Sequence, residues 1–217
     1  MAMEVILIRH GRTAANQKHV YQRGAETLSS SGQKEIADVA DALQAYAPTH
    51  LLCSPMNRAQ DTATILGEKL QLNPTTFREV REIRWPSYLE GRARYSFTSV
   101  RYMVRWFLQR EVHTDDAKAG ESYDTLRKRI ERAKNILESY PPDARIVVVS
   151  HSVFINFFVE HVCSPKPLSL SSAVPRLFKI LTLRNTNAVR LQCDNDTKHR
   201  VCSWKVIAFN KSVSELT

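Results

Sequence analysis

Two histidines stand where short apolar runs end. Arg9-His10-Gly11 follows Val5-Ile6-Leu7-Ile8, and Ser150-His151-Ser152 follows Ile146-Val147-Val148-Val149. A third run, His50 to Ser54, leads into Ser54-Pro55-Met56-Asn57-Arg58. Two imidazoles and two guanidiniums suit phosphomonoester chemistry. Such a substrate needs its charge neutralised, its phosphorus attacked in line and its leaving oxygen protonated. The fork of an arginine grips two phosphate oxygens at once, so Arg9 and Arg58 are candidates for the clamp and His151 for a further donor. An imidazole among cations resists protonation, which keeps His10 nucleophilic near neutral pH. Gly11 lets the chain turn directly after it. Backbone amides at the starts of the helices that follow His10 and His151 would add donors. There is no His-Glu-x-x-His and no carboxylate cluster at ligand spacing, so neither a metal nor another cofactor is expected.

These residues need elements that bring them together. Glu4 to Arg9 and Arg145 to Ser150 hold unbroken apolar cores, as strands covered on both faces do. Helical periods lie between them: Ile36, Val39, Ala40, Leu43; then Ala59, Ala63, Leu66, Leu70; then Leu126, Ile130, Ala133, Leu137. Ser29 to Ser31 offer caps for the first of these. Strands alternating with helices indicate an α/β fold, a three-layer sandwich whose mainly parallel central sheet is flanked by helices. Ligand sites in such sheets lie outside the carboxyl ends of the strands, where all four candidate residues fall. Toward the C-terminus the pattern alternates instead, at Phe178–Leu183, Val189–Cys193 and Val201–Phe209, with Asn185-Thr186-Asn187 and Asn195-Asp196 as turns. These segments read as antiparallel edge strands of the same sheet, making residues 1–217 one domain.

The bulk numbers set limits. The chain has 217 residues, 43% hydrophobic and 24% charged, which argues against disorder. No apolar run approaches the roughly 18 residues of a membrane span, and the opening run ends at an arginine without a basic leader, so a cytoplasmic location is expected. A net charge of +9 favours anionic partners. A phosphorylated small molecule leads; a phosphorylated protein or a homo-oligomer is compatible, and nucleic acid is the weaker reading. Four cysteines, at 53, 163, 193 and 202, form no Cys-x-x-Cys pair. Reduced thiols are expected, with Cys193–Cys202 the one disulfide that the spacing would permit without demanding it.

Residues 84–111 break the rhythm with a basic aromatic insert. From Arg84 to Arg110 there are six arginines (84, 92, 94, 101, 105, 110) and one carboxylate, Glu90. Phe97, Val100, Val104, Phe107 and Leu108 suggest an amphipathic helix. Its arginines are either a solvated face or part of a lid that selects anionic substrates, since insertions beside strand ends are where specificity tends to lie.

As a set, these segments resemble the histidine phosphatase superfamily, in its phosphoglycerate-mutase-like branch. Leu7-Ile8-Arg9-His10-Gly11-Arg12-Thr13 is similar to the opening signature, with Arg12 where glutamate is usual. Asn16, Gln22, Gly24 and Leu28-Ser29-x-x-Gly32 follow at similar spacing. Ser54-Pro55-x-x-Arg58-Ala59-x-x-Thr62-Ala63, Gly120-Glu121-Ser122 and Val149-Ser150-His151 resemble the later signatures, and Trp204 to Asn210 the closing strand. The resemblance implies a phosphohistidine at His10 and a phosphate pocket of Arg9, Arg58 and His151. It places Asn16, Gln22, Gly24 and Ser152 at the substrate, Ser152 standing where glycine is usual. It also implies a proton donor at Glu82, with Glu79 as competitor because the Glu82–Glu90 spacing is one residue longer than usual and Pro86 stands where glycine is common. The expected activity is a metal-independent phosphatase. The alternatives are a mutase of the same superfamily and a non-catalytic phospholigand binder.

Overall fold

The computed structural model describes residues 2–18, 20–21, 25–94, 96–108, 120–164, 183–194 and 202–216. Strand β1 (Met3–Arg9) runs down the middle of a six-stranded sheet ordered β3-β2-β4-β1-β5-β6. Its neighbour β4 (Arg145–Ser150) is parallel, as are β2 (His50–Cys53) and the two-residue β3 (Thr75–Thr76) beyond it. β5 (Ala188–Cys193) and β6 (Trp204–Lys211) close the other edge antiparallel. The expected α/β sandwich, mainly parallel with antiparallel C-terminal strands, is therefore present. Of the three C-terminal segments, residues 178–182 lie outside the described residues; the other two correspond to β5 and β6.

Alternating side chains of the sheet bury on opposite sides, which is why its central strands carry no polar spacing. Ile6, Ile8, Val147 and Val149 pack with Ile36, Leu43 and Leu66 of α2 (Ser30–Tyr46) and α3 (Asn57–Leu70). Val5, Leu7, Ile146 and Val148 pack on the other side with α4 (Phe97–Phe107), α5 (Tyr123–Glu138) and α6 (Ser152–His161). A short α1 (Ala14–Gln17) follows β1. Register decides the rest. Arg9 pairs with Ser150, and Cys53 lies opposite Val149. Three parallel strands thus end level, and the residues just past their ends share one edge.

Two expectations are corrected. The insert does form a helix, but Phe97, Val100 and Val104 are on its outside, Phe97 at 82% exposure. The buried face is Ser99, Tyr102, Met103 and Trp106. Both stripes fit a helical period; the second wins because Trp106 packs edge-on against Tyr123 and Phe157 while its Nε1 donates to the Glu121 carbonyl at 2.7 Å. The cysteines are not all reduced: Cys163 and Cys202, 39 residues apart, are joined, whereas Cys53 and Cys193 are free and buried. Cys193 lies within the β5–β6 ladder opposite Trp204, which leaves Cys202, just before β6, to meet the residues after α6. No helix among the described residues is long and apolar enough to cross a membrane.

Candidate functional site

At the shared strand edge His10, buried to 2% exposure, is held from several sides. Its backbone N–H donates to the Ser150 carbonyl (3.0 Å), carrying the β1–β4 pairing one residue past the strand. Its Nδ1 lies 2.8 Å from the Gly11 carbonyl, an acceptor only, so the ring proton is on Nδ1 and the Nε2 lone pair is left for chemistry. Arg58 Nε donates to that Nε2 at 3.2 Å. Arg58 stands at the start of α3 because β2 ends level with β1, and α3 also supplies Thr62. The Thr62 hydroxyl accepts from the Gly11 N–H (3.1 Å) and donates to the Arg58 carbonyl (2.7 Å), tying the two catalytic candidates together.

His151 follows β4, its ring centroid 5.1 Å from that of His10. Ser54 Oγ lies 2.7 Å from His151 Nε2 and already accepts from the Met56 N–H. Ser54 thus holds the ring through Nε2, and Nδ1 is its other nitrogen. That Nδ1 is buried without a partner, as are Arg9 Nε and Asn16 Nδ2. Buried polar atoms are rarely left unmatched, and Arg9 Nε and Asn16 Nδ2 are donors that a bound anion would satisfy. Asn16 is oriented for this. Its Oδ1 accepts from Thr13 N–H, Thr13 O–H and Asn185 Nδ2, so its amide nitrogen remains over. Asn16 closes a capping box with Thr13, so the cap and the anion contact are compatible roles.

Glu82 approaches from the segment after β3. Its Oε1 accepts from the Ile83 and Phe154 amides (3.0 and 3.1 Å) and its Oε2 from Val153 (3.4 Å), which seats the carboxyl on the first turn of α6. The Glu82 charge also supports the protonated forms of Arg9 and Arg58. Glu79 sits in a 3₁₀ turn, Arg78–Val80, with its carbonyl taken by Arg129. Ser152 opens α6, and its carbonyl accepts from Asn156 Nδ2 at 2.7 Å. Gln22 and Gly24 lie outside the described residues. Arg12 pairs with Glu35 of α2 at 3.0 Å, while its backbone packs so close to Gly32 that a Cβ there would meet the Arg12 oxygen at 2.3 Å. The substitution at position 12 has become a surface ion pair, and glycine at 32 is a steric need.

Some participants escaped sequence reasoning. Asn185, read there only as a turn, donates from Nδ2 to the carbonyls of His10 (3.0 Å) and Gly11 (3.1 Å) as well as to Asn16. It reaches them because β5 runs antiparallel to β1, which sets the start of β5 at the end of β1. Arg9 Nη1 donates to the Leu183 carbonyl in the same region. Thr62 lay inside a quoted motif without an assigned role. Arg94 of the insert is half-buried, its Nε on the Val20 carbonyl at 3.2 Å, and its charge bears on Arg9, His10 and Arg58.

Burial, then the neighbouring guanidiniums, hold both histidines well below the ordinary histidine range. Burial first, joined by Arg94, pushes Arg9 down to about 10; burial does the same to Arg58, also to about 10, and both stay cationic at neutral pH. A sign follows for stability. Below about pH 6.5 the unfolded chain protonates these imidazoles and the folded one does not, so stability falls on acidification, by about 1.4 kcal/mol per pH unit for each histidine. Urea denaturation at pH 7, 6 and 5 should show this slope. A His10→Asn, His151→Asn variant should show a flatter one; equal slopes would contradict the neutral-histidine assignment.

A model of the histidine phosphatase superfamily (branch 1) matches residues 5–203. The chain belongs to the histidine phosphatase superfamily. Curated relatives include the probable phosphoglycerate mutase GpmB of Yersinia enterocolitica, 25% identical over 190 residues, 87% of this chain and 84% of the relative. The protein of the same name from Erwinia tasmaniensis is 24% identical over 99% of this chain and 95% of its own. Among solved structures, a mycobacterial glucosyl-3-phosphoglycerate phosphatase superposes with a TM-score of 0.74 at 20% identity, covering 98% of this chain and all of the other (100%). The alpha-ribazole phosphatase of Shigella flexneri gives 0.72 at 19%, with 96% of each chain covered. At those identities the structural likeness is one of fold. In this member of the superfamily the sheet is what aligns the strand ends that carry His10, Arg58 and His151.

Proposed function

We propose that this histidine phosphatase hydrolyses phosphomonoesters through a phosphohistidine at His10, with no metal in the cycle. The observation behind this reading is the His10 ring itself. Its Nδ1 proton is fixed on the Gly11 carbonyl and its Nε2 lone pair is beside Arg58, within a cradle whose buried donors lack partners. On binding, phosphate oxygens take the unmatched donors and the Arg58 guanidinium, and the Arg58–His10 bond yields to phosphorus. Nε2 forms the P–N bond as the ester P–O bond breaks, and the departing alkoxide takes a proton from Glu82. Water then attacks phosphorus, Glu82 accepts its proton, the P–N electrons return to Nε2 and inorganic phosphate leaves.

The curated relatives favour a second reading, a mutase that returns the phosphoryl group to a bound sugar acid. Products separate the two. With chelator-treated enzyme and a labelled phosphomonoester, an alkaline denaturing quench should trap acid-labile label on His10, and turnover should release inorganic phosphate. Label recovered mainly in an isomeric sugar acid phosphate would favour the mutase, and no label on His10 would defeat both.

Within this proposal Arg94 selects the substrate by holding a second anionic group. Arg101 and Arg105, by contrast, are on the exposed face of α4. Arg94→Gln should raise KM roughly 10- to 100-fold for a phosphorylated sugar acid, the scale of a lost charged hydrogen bond, and only a few-fold for p-nitrophenyl phosphate. Equal changes for both substrates would remove Arg94 from this role.

A further inference from the structure

The Glu121 carboxylate has a side chain only 1% exposed and receives two guanidiniums. Arg129 donates to it from Nε and Nη2, both at 2.8 Å, and Arg81 from Nη1 and Nη2, both at 3.2 Å. A carboxylate gripped by two forks is costly to bury, and such arrangements are better explained by what they fix than by net stability. What they fix here is the segment bearing Glu82. Arg129 Nη1 donates onward to the carbonyls of Glu79 (2.5 Å) and Arg81 (2.8 Å), and Arg81 Nη1 to that of Glu82 (3.3 Å). The Glu121 N–H donates to the Arg84 carbonyl at 2.7 Å. Ser150 Oγ, at the end of β4, donates to the carbonyl of Val80 at 2.7 Å.

Carbonyls on both sides of Glu82 are therefore held by groups that converge on Glu121. The same network touches the other support of the Glu82 carboxyl. The Arg129 guanidinium lies 5.0 Å over the ring of Phe154, whose amide donates to Glu82 Oε1. Trp106 Nε1 donates to the Glu121 carbonyl, so α4 of the insert is fastened to the same anchor. Burial alone would raise the Glu121 carboxyl, but hydrogen bonding and charge from Arg129 and Arg81 bring it below its ordinary value, keeping the anchor ionised.

We infer that Glu121 is a positioning residue for catalysis: through Arg81 and Arg129 it sets where the Glu82 carboxyl meets the leaving oxygen. The inference rests on Glu82 being the proton donor. If Glu121 sets only that geometry, weakening it penalises substrates whose leaving group needs a proton and spares those whose leaving group does not.

Glu121→Gln strands the buried Arg129 guanidinium and can simply unfold, so the working variant is Arg81→Met. The Arg81 side chain is 31% exposed, and its loss leaves the Arg129–Glu121 pair intact. The readout is the ratio of kcat/KM for an alkyl phosphate to that for p-nitrophenyl phosphate, with Tm measured alongside. Arg81→Met should lower this ratio about tenfold, a displacement-sized effect, and Arg81→Lys should recover most of it. An unchanged ratio overturns the inference, as do parallel losses on both substrates that track Tm. Glu82→Gln, run beside it, separates the layers. If Glu82→Gln lowers the ratio and Arg81→Met does not, the positioning role alone falls. If Glu82→Gln leaves the ratio unchanged, the donor assignment fails and takes the positioning role with it.

Discussion

His10→Ala should lower kcat/KM for every phosphomonoester by roughly 10⁴- to 10⁶-fold, the scale seen when a covalent nucleophile is removed, and should abolish acid-labile label. Nothing nearby can take over. His151, the other imidazole of the site, has its Nε2 engaged by Ser54 Oγ at 2.7 Å. The loss should be one of chemistry and not of binding. Arg9, Arg58 and His151 remain, and vanadate should still protect the variant against thermal unfolding. The variant should also keep its fold. At pH 5 it should lose less stability relative to pH 7 than the parent does, because one buried neutral imidazole has gone. Turnover within tenfold of the parent would end the phosphohistidine reading.

The second large effect depends on the leaving group. Glu82→Gln should lower kcat/KM for alkyl phosphates by about 10²- to 10⁴-fold, the usual worth of general acid catalysis, and for p-nitrophenyl phosphate by less than about tenfold. Using kcat/KM restricts the comparison to steps up to the phosphohistidine, where Glu82 acts as the acid. Glutamine retains an oxygen for the amides of Ile83, Val153 and Phe154, so the support on α6 survives the change. Glu79→Gln is the control. Its side chain belongs to the 3₁₀ turn, and the charge that bears on Arg9 and Arg58 is that of Glu82. Alkyl phosphate turnover that depends on Glu79 and not on Glu82 would reverse the assignment.

Much of this molecule was legible before any coordinates. The runs at residues 5–8 and 146–149 can be buried only in the middle of a covered sheet, and the helical periods between them require parallel crossovers. Strands that cross over in parallel must present their carboxyl ends on one edge, so Arg9, His10, Arg58 and His151 were bound to meet. That conclusion needs only period and order, and both are local properties of a chain.

What tertiary structure alone decided are choices between locally equivalent options. α4 has two stripes of helical period, and packing of Trp106 against Tyr123 and Phe157 chose the one that leaves Phe97 outside. Asn185 reads as a turn residue until antiparallel pairing carries the start of β5 to His10. Cys163 and Cys202 are distant in sequence, and only the docking of β6 beside the end of α6 joins them. Arg129 is one charge among several in α5 until burial pairs it with Glu121 and sets it against the carbonyls of Glu79 and Arg81. Period and order follow from neighbours along the chain, whereas partners across the fold depend on distances that no single stretch of residues contains.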